Sequence, residues 1–234
     1  AKLSNLGGEG QILFGALGMT LVGIPPVGEA LGVWSLPAGI LLGIVLGALW
    51  AAVAGFFRVR FNASEIVVTL MLNYIAKQFI SYMVFYPLRS GAEPQSAKIA
   101  CALPKLYHGS RINWGVILAL ALVVVYGVVI RRTRFGYHLR CLGGSERAAA
   151  YSGVKKQRYY FLAMLISGAF CGLAGAVQIS GNTMRLMEGV AGDFGFSGIV
   201  VAMLGSLNPV GVVIGLACAL LIFSLQSCVS SMVT

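Results

Sequence analysis

The sequence predicts an all-α polytopic membrane protein: a helical bundle with inverted repeats and two discontinuous, half-span helices. Three observations carry this expectation. Of the 234 residues, 58% are hydrophobic and 10% charged, with a mean hydropathy of +0.87, whereas a soluble domain carries about 25% charged residues. The apolar residues fall in long runs between polar breaks, rather than in the roughly ten-residue alternating segments of a membrane barrel. Two further runs are too short to cross a bilayer core of about 30 Å, and both are punctuated by Gly and closed by Pro.

Taken in order, the chain opens on the polar, Gly-rich NLGGEGQ of residues 5–11, followed by the first short run, Ile12–Gly23. Pro25-Pro26 force a turn. Leu36–Phe57 is a full span that ends at Arg58 and Arg60, and Glu65–Tyr86 is the return span. Pro87–Asn113 is a polar loop with Pro87, Pro94 and Pro104, after which Trp114–Ile130 crosses again. Tyr159–Ser180 is the next span, Gly181–Asp193 a loop carrying Glu188 and Asp193, Phe194–Leu207 the second short run, and Val210–Val233 the last span. No linker divides them, so residues 1–234 read as one domain. The chain begins at Ala1 in a motif-like stretch and ends in an apolar one, with no cleavable signal peptide visible, so it is expected to be incomplete at both ends.

Orientation follows from the stretch 131–158, RRTRFGYHLRCLGGSERAAAYSGVKKQR. It holds eight of the seventeen Lys and Arg and one acid, Glu146. A short basic loop between two spans stays in the cytoplasm, because Lys and Arg resist translocation. Within it Ser145 can cap a helix, Glu146 suits a first turn, an Ala triplet follows, and Gly153 can terminate. Seven helical residues are about 10 Å long and not stable alone in water. Taken alone, the loop is either a plain connector or a docking helix for a cytoplasmic partner. The net charge of +10 does not point to nucleic acid, since more than half of the basic residues flank apolar runs and no basic patch is interleaved with aromatics.

With that orientation, Pro26-Val27-Gly28 after the first short run lies outside, and Pro209-Val210-Gly211 after the second lies inside. A short run, Gly punctuation, a matched tripeptide and opposite sidedness together predict an inverted-topology repeat whose discontinuous helices meet near the midplane.

Polar groups within the spans are functional suspects. Asn5, Glu9 and Gln11 stand at the mouth of the first half-helix, where they either line a path for a polar solute or satisfy backbone groups freed at the break. Glu65, Thr69 and Asn73, at i, i+4 and i+8, form one face that serves interhelical hydrogen bonds or solute contact; Glu65 can also neutralise Arg58 or Arg60. Lys77 lies deep in the same span without an evident partner. Around the second break, Asp193, Ser197 and Asn208 accompany Phe194 and Phe196, which either stack on a flat polar solute or simply pack. Gly39-x3-Gly43-x3-Gly47 and Gly168-x3-Gly172 favour close helix packing.

The five Cys (101, 141, 171, 218, 228) form no CxxC and no Cys/His pair at ligand spacing, so neither a metal site nor a structural disulfide is implied. There is no G-x-x-x-x-G-K-[ST] and no HExxH, and no Ser/His/Asp set can be argued from His108 and His138. No catalytic residue is assigned. ATP, if it drives transport, is hydrolysed by another chain.

Together, NLGGEGQILFGAL (5–17), NASEIVVTLMLNYIA (62–76), PQSAKI (94–99), RFGYHLRCLGGSERAAAYSGV (134–154) and DFGFSGIVVAMLGSLNPVG (193–211) resemble the permease subunits of bacterial ABC importers of the branched-chain amino acid/ribose/nucleoside type. The MLNYIA and PQS-x-x-I stretches resemble the nucleoside branch. The resemblance implies a permease of the bacterial plasma (inner) membrane that forms the path for nucleosides and needs no cofactor. A ribose-type monosaccharide permease and an ion-coupled secondary transporter are the alternatives. It implies as partners cytoplasmic ABC ATPase subunits, a second permease subunit in a homo- or heterodimer, an extracytoplasmic substrate-binding protein and membrane lipid. The expected path residues are Asn5, Glu9, Gln11, Asn73, Phe194, Phe196 and Ser197. The expected ATPase-coupling residues, in loop 131–158, are Arg140, Gly143, Ser145, Glu146, Ala148, Ala149 and Gly153.

Overall fold

The structure is a computed structural model and describes residues 5–25, 27–61, 63–104, 113–144, 149, 153, 155–205 and 211. The helices are α1 (Gly8–Gly23), α2 (Val27–Leu31), α3 (Ser35–Phe61), α4 (Glu65–Phe85), α5 (Gly115–Arg132), α6 (Arg134–Gly144), α7 (Lys156–Gln178) and α8 (Phe194–Leu204). Among the described residues, four helical stretches are long and apolar enough to cross a membrane: Val27–Phe61, Glu65–Phe85, Gly115–Arg132 and Lys156–Thr183. The chain is a multi-pass, all-α membrane protein.

At the centre is α1, buried on nearly every side, as expected of a helix apolar all round. It packs against α3, α4 and α7. The seam between α1, α3 and α7 is built of glycine. Gly15 lies on Gly172 and Gly18 on Gly43, where an added Cβ would stand 2.8 Å from the Gly43 Cα. Gly47 lies on Gly168 and Gly172. The small-residue spacing read from the sequence is therefore a packing device, which lets backbones meet where lipid offers no hydrophobic drive. By contrast α5 buries no residue and touches α7 mainly at its edge, with Tyr126 against Phe170 and Gly115 against Val177.

At the end opposite the basic loop, the segment 95–103 runs alongside 180–187. Ser96 N–H donates to Leu186 O, Ile99 N–H to Met184 O and Leu103 N–H to Ser180 O, each at 2.9–3.0 Å. Ser96 is fully buried, and its hydroxyl takes the Leu186 N–H at 2.9 Å. Ala100 N–H bonds Gly23 O at 2.9 Å, tying the same segment to the end of α1.

The structure corrects three boundaries. α1 starts at Gly8, four residues before the predicted run, because the Gly10 N–H of its polar first turn finds an acceptor on α4 and the Gln11 N–H bonds Gly7 O. After α7 the chain makes one wide turn, Ile179–Thr183, closed by Met184 N–H on Ile179 O at 2.8 Å. The first half of the basic loop, which is assigned no helix from the sequence, is α6. Its apolar residues Gly136, Leu139 and Leu142 are buried, Phe135 stacks on Tyr159 with ring centroids 5.8 Å apart, and Leu142 packs with Ala149. The second Pro-Val-Gly tripeptide, apart from Gly211, and the last predicted span lie outside the described residues.

Candidate functional site

Both short helices begin without a side-chain cap of their own, and in each case another helix supplies it. Gly7 precedes α1 and has no side chain to offer, which leaves first-turn N–H groups unpaired. Asn73 of α4 reaches across: its Oδ1 accepts the Gly10 N–H at 2.9 Å, and its Nδ2 donates to Leu6 O at 2.8 Å. Asn5 holds the turn before α1. Its amide exchanges hydrogen bonds with that of Gln11, at 2.9 and 3.2 Å, and its Nδ2 donates to Ser167 Oγ of α7 at 2.8 Å.

At α8 the preceding residue, Asp193, is in the left-handed region (φ 57°) and makes no cap. Glu9 of α1 replaces it. One carboxylate oxygen takes the Asp193 N–H at 3.1 Å, and the other takes the Gly195 N–H at 3.0 Å. Glu9 is 2% exposed and lies in the first turn of α1, so one carboxylate faces the positive ends of two helix dipoles. Gly195 permits this approach, since a side chain there would overlap the backbone of Glu9.

These N-termini meet beside the middle of α4. Asn73 and Lys77 lie about 12 and 18 Å along a helix about 31 Å long, at 1.5 Å per residue. Lys77, partnerless in the sequence, stands 3.4 Å from Asp193 Oδ1 and 3.9 Å from Glu9 Oε1. A cleft of about 350 Å³ opens over this group, between α4 and the loop before α8. At the base of α4, Glu65 pairs with Arg58 at 2.9 Å; one of the roles open to it from the sequence is thus the observed one.

A family model described as "Branched-chain amino acid transport system / permease component" matches residues 1–233. The chain belongs to this family. Similar proteins include the guanosine ABC transporter permease protein NupP of Bacillus subtilis (strain 168), 35% identical over 93% of this chain and 64% of the relative. The glucose ABC transporter permease protein TsgB13 of Haloferax volcanii is 33% identical over 91% of this chain and 59% of the relative. The nucleoside ABC transporter permease protein NupB of Lactococcus lactis subsp. cremoris (strain MG1363) is 29% identical over 96% and 64%. The chain therefore spans about three fifths of these relatives' length. No solved structure matches it.

Within this permease-family chain the expected path residues divide into two groups. Asn5, Glu9, Gln11 and Asn73 come together around the two N-termini, and the bonds described there are made to backbone, to one another and, for Asn5 and Glu9, to Ser167 and Lys77. Phe194, Phe196 and Ser197 are exposed on α8 and do not line the cleft. Lys77 and Ser81, which line the cleft, and Ser167, which accepts from Asn5, were not among the expected path residues. Lys77 alone carried a signal, a cation deep in an apolar span.

Of the expected coupling residues, Ser145, Glu146 and Ala148 lie outside the described residues. Arg140 is exposed on α6 and Gly143 is in its last turn. Ala149 is helical and 1% exposed. Gly153 has φ +74°, the left-handed conformation of a terminating glycine. On the open face of α6 the Tyr137 phenol is held above its ordinary pKa by its hydrogen bond with the Cys141 side chain, against the opposing effect of Arg140.

Proposed function

We propose that the chain is the membrane permease subunit of an ATP-binding cassette importer, forms the translocation path for nucleosides in the bacterial inner membrane, and leaves ATP hydrolysis to a partner. The observation that carries this is the similarity, along nearly the whole chain, to permeases named for guanosine and nucleosides. Their names place no role on individual residues, and here the geometry adds a candidate. α1 and α8 are half-span helices of an inverted repeat that meet N-terminus to N-terminus at mid-membrane. Solute passes beside this meeting point as α1 and α8 shift with their respective repeats.

Loop 131–158, with α6 at its start, lies on the cytoplasmic side and couples to ABC ATPase subunits through the exposed face around Arg140 and the turn at Gly153. A second permease subunit, identical or paralogous, and an extracytoplasmic binding protein complete the assembly. The open flank of α5 is available to the subunit or to lipid. An ion-coupled carrier fits less well: Glu9 is occupied on both oxygens by α8, and Glu65 is paired with Arg58, so neither carboxylate is free to follow an ion. The similarity to a glucose permease keeps monosaccharides as the second solute class. Uptake of radiolabelled guanosine and glucose by proteoliposomes carrying the complete transporter separates the two. ATP-dependent guanosine uptake is expected, and uptake of glucose alone would overturn the nucleoside assignment.

A further inference from the structure

The cleft over the two N-termini has a lining of mixed character. Lys77 and Ser81 of α4 stand on one side, Glu188 and Asp193 on the other, and Glu9 at the floor. The pairs across it are loose: Lys77 Nζ to Asp193 Oδ1 at 3.4 Å and Ser81 Oγ to Glu188 Oε1 at 3.2 Å, both exposed. An ionised carboxylate has about four lone-pair sites, so each acid keeps acceptor capacity, and Lys77 keeps donors. Among the described residues no aromatic ring lines the cleft, so none of them stacks on a base there. Three carboxylates against one ammonium disfavour an anion. The α8 N-terminus, the natural seat for a phosphate or carboxylate, is already filled by Glu9. What fits is a neutral group that donates and accepts at adjacent positions, which describes vicinal hydroxyls. Nucleosides and monosaccharides share that feature and little else.

We propose that this cleft is the subsite for the sugar ring of the transported solute. Ring hydroxyls donate to Glu188 and Asp193 and accept from Lys77 and Ser81, and a base, where present, stays outside it. This rests on the solute path proposed above.

The test compares ATP-driven uptake of a ribonucleoside and its 2′,3′-dideoxy analogue by proteoliposomes carrying the complete transporter. Solute is held above the concentration that saturates the binding protein, so that the rate reports the permease step. In Glu188→Gln the ratio of ribonucleoside to dideoxy rate should fall about tenfold, the worth of one hydrogen bond to a charged group, while capture of the binding protein is retained. An unchanged ratio, or lost capture, would overturn the subsite. If no nucleoside crosses even in the unmodified transporter, the nucleoside reading fails by itself, and the subsite is judged by thiol labelling. Ser81→Cys, in a chain whose own cysteines are replaced by Ala, should then be protected by ribose or glucose and not by their deoxy analogues. Absence of protection would sink the proposal.

Discussion

Removing the Glu9 carboxylate should release α8. In Glu9→Ala the N–H groups of Asp193 and Gly195 lose a charged acceptor that is 2% exposed. A hydrogen bond to a charged group is worth about 1.5–3 kcal/mol and a lost helix cap about 0.5–2 kcal/mol. Because burying the carboxylate itself costs desolvation, the expected net loss is about 2–4 kcal/mol. Lys77 adds little, since its side chain is 45% exposed and Asp193 remains beside it. For a chain of this size 1 kcal/mol moves the unfolding temperature by about 2–4 °C, so the midpoint should fall by about 4–16 °C at a fixed scan rate in lipid nanodiscs. Hydrogen exchange localises the effect. Amides of Phe194–Leu204 should exchange about 30-fold faster or more, the equivalent of 2 kcal/mol, with α3 and α7 unchanged. Glu9→Gln, which keeps one acceptor, should fall between. An unchanged midpoint with unchanged exchange in α8 would refute the reasoning, and so would an equal loss of protection in every helix.

Two further predictions concern the same core. Asn73→Ala should cost about 1–3 kcal/mol, because the Gly10 N–H and Leu6 O are left unpaired. Asn73→Asp keeps the acceptor beside a helix N-terminus and should recover part of that loss in the same unfolding assay. Gly172→Ala should cost about 1–3 kcal/mol or more, since its Cβ would press on the Gly43 carbonyl and lie 3.0 Å from the Gly47 Cα, both backbone. Gly198→Ala, with nothing within 4 Å, is the control and should be neutral or slightly stabilising.

The long spans were legible because length and apolar content alone decide them, and α3, α4, α5 and α7 lie within a few residues of their predicted bounds. The glycine seam was legible too, as spacing on single helices. The caps were not. Asn73 and Gly10 are 63 residues apart, and Glu9 and Gly195 are 186 apart, so a first turn of Gly-Glu-Gly-Gln looks like loop until its partners are in place. α6 is a different case. Phe135, Leu139 and Leu142 already stand at i, i+4 and i+7, a helical face that the density of Arg around it obscured. The charge on Glu9 singled it out in the sequence, but that its carboxylate holds the Asp193 and Gly195 N–H groups is visible only with α8 in place.

The central claim is tested most directly by what drives uptake. Proteoliposomes carrying the complete transporter would be loaded with labelled guanosine outside and ATP on the ATPase side, with and without an imposed proton or sodium gradient, using the unmodified chain and Arg140→Glu. The account predicts uptake that requires ATP, ignores the gradient, and falls several-fold in Arg140→Glu while the membrane subunits still assemble. Uptake that follows the gradient and is indifferent to ATP and to Arg140→Glu would contradict it.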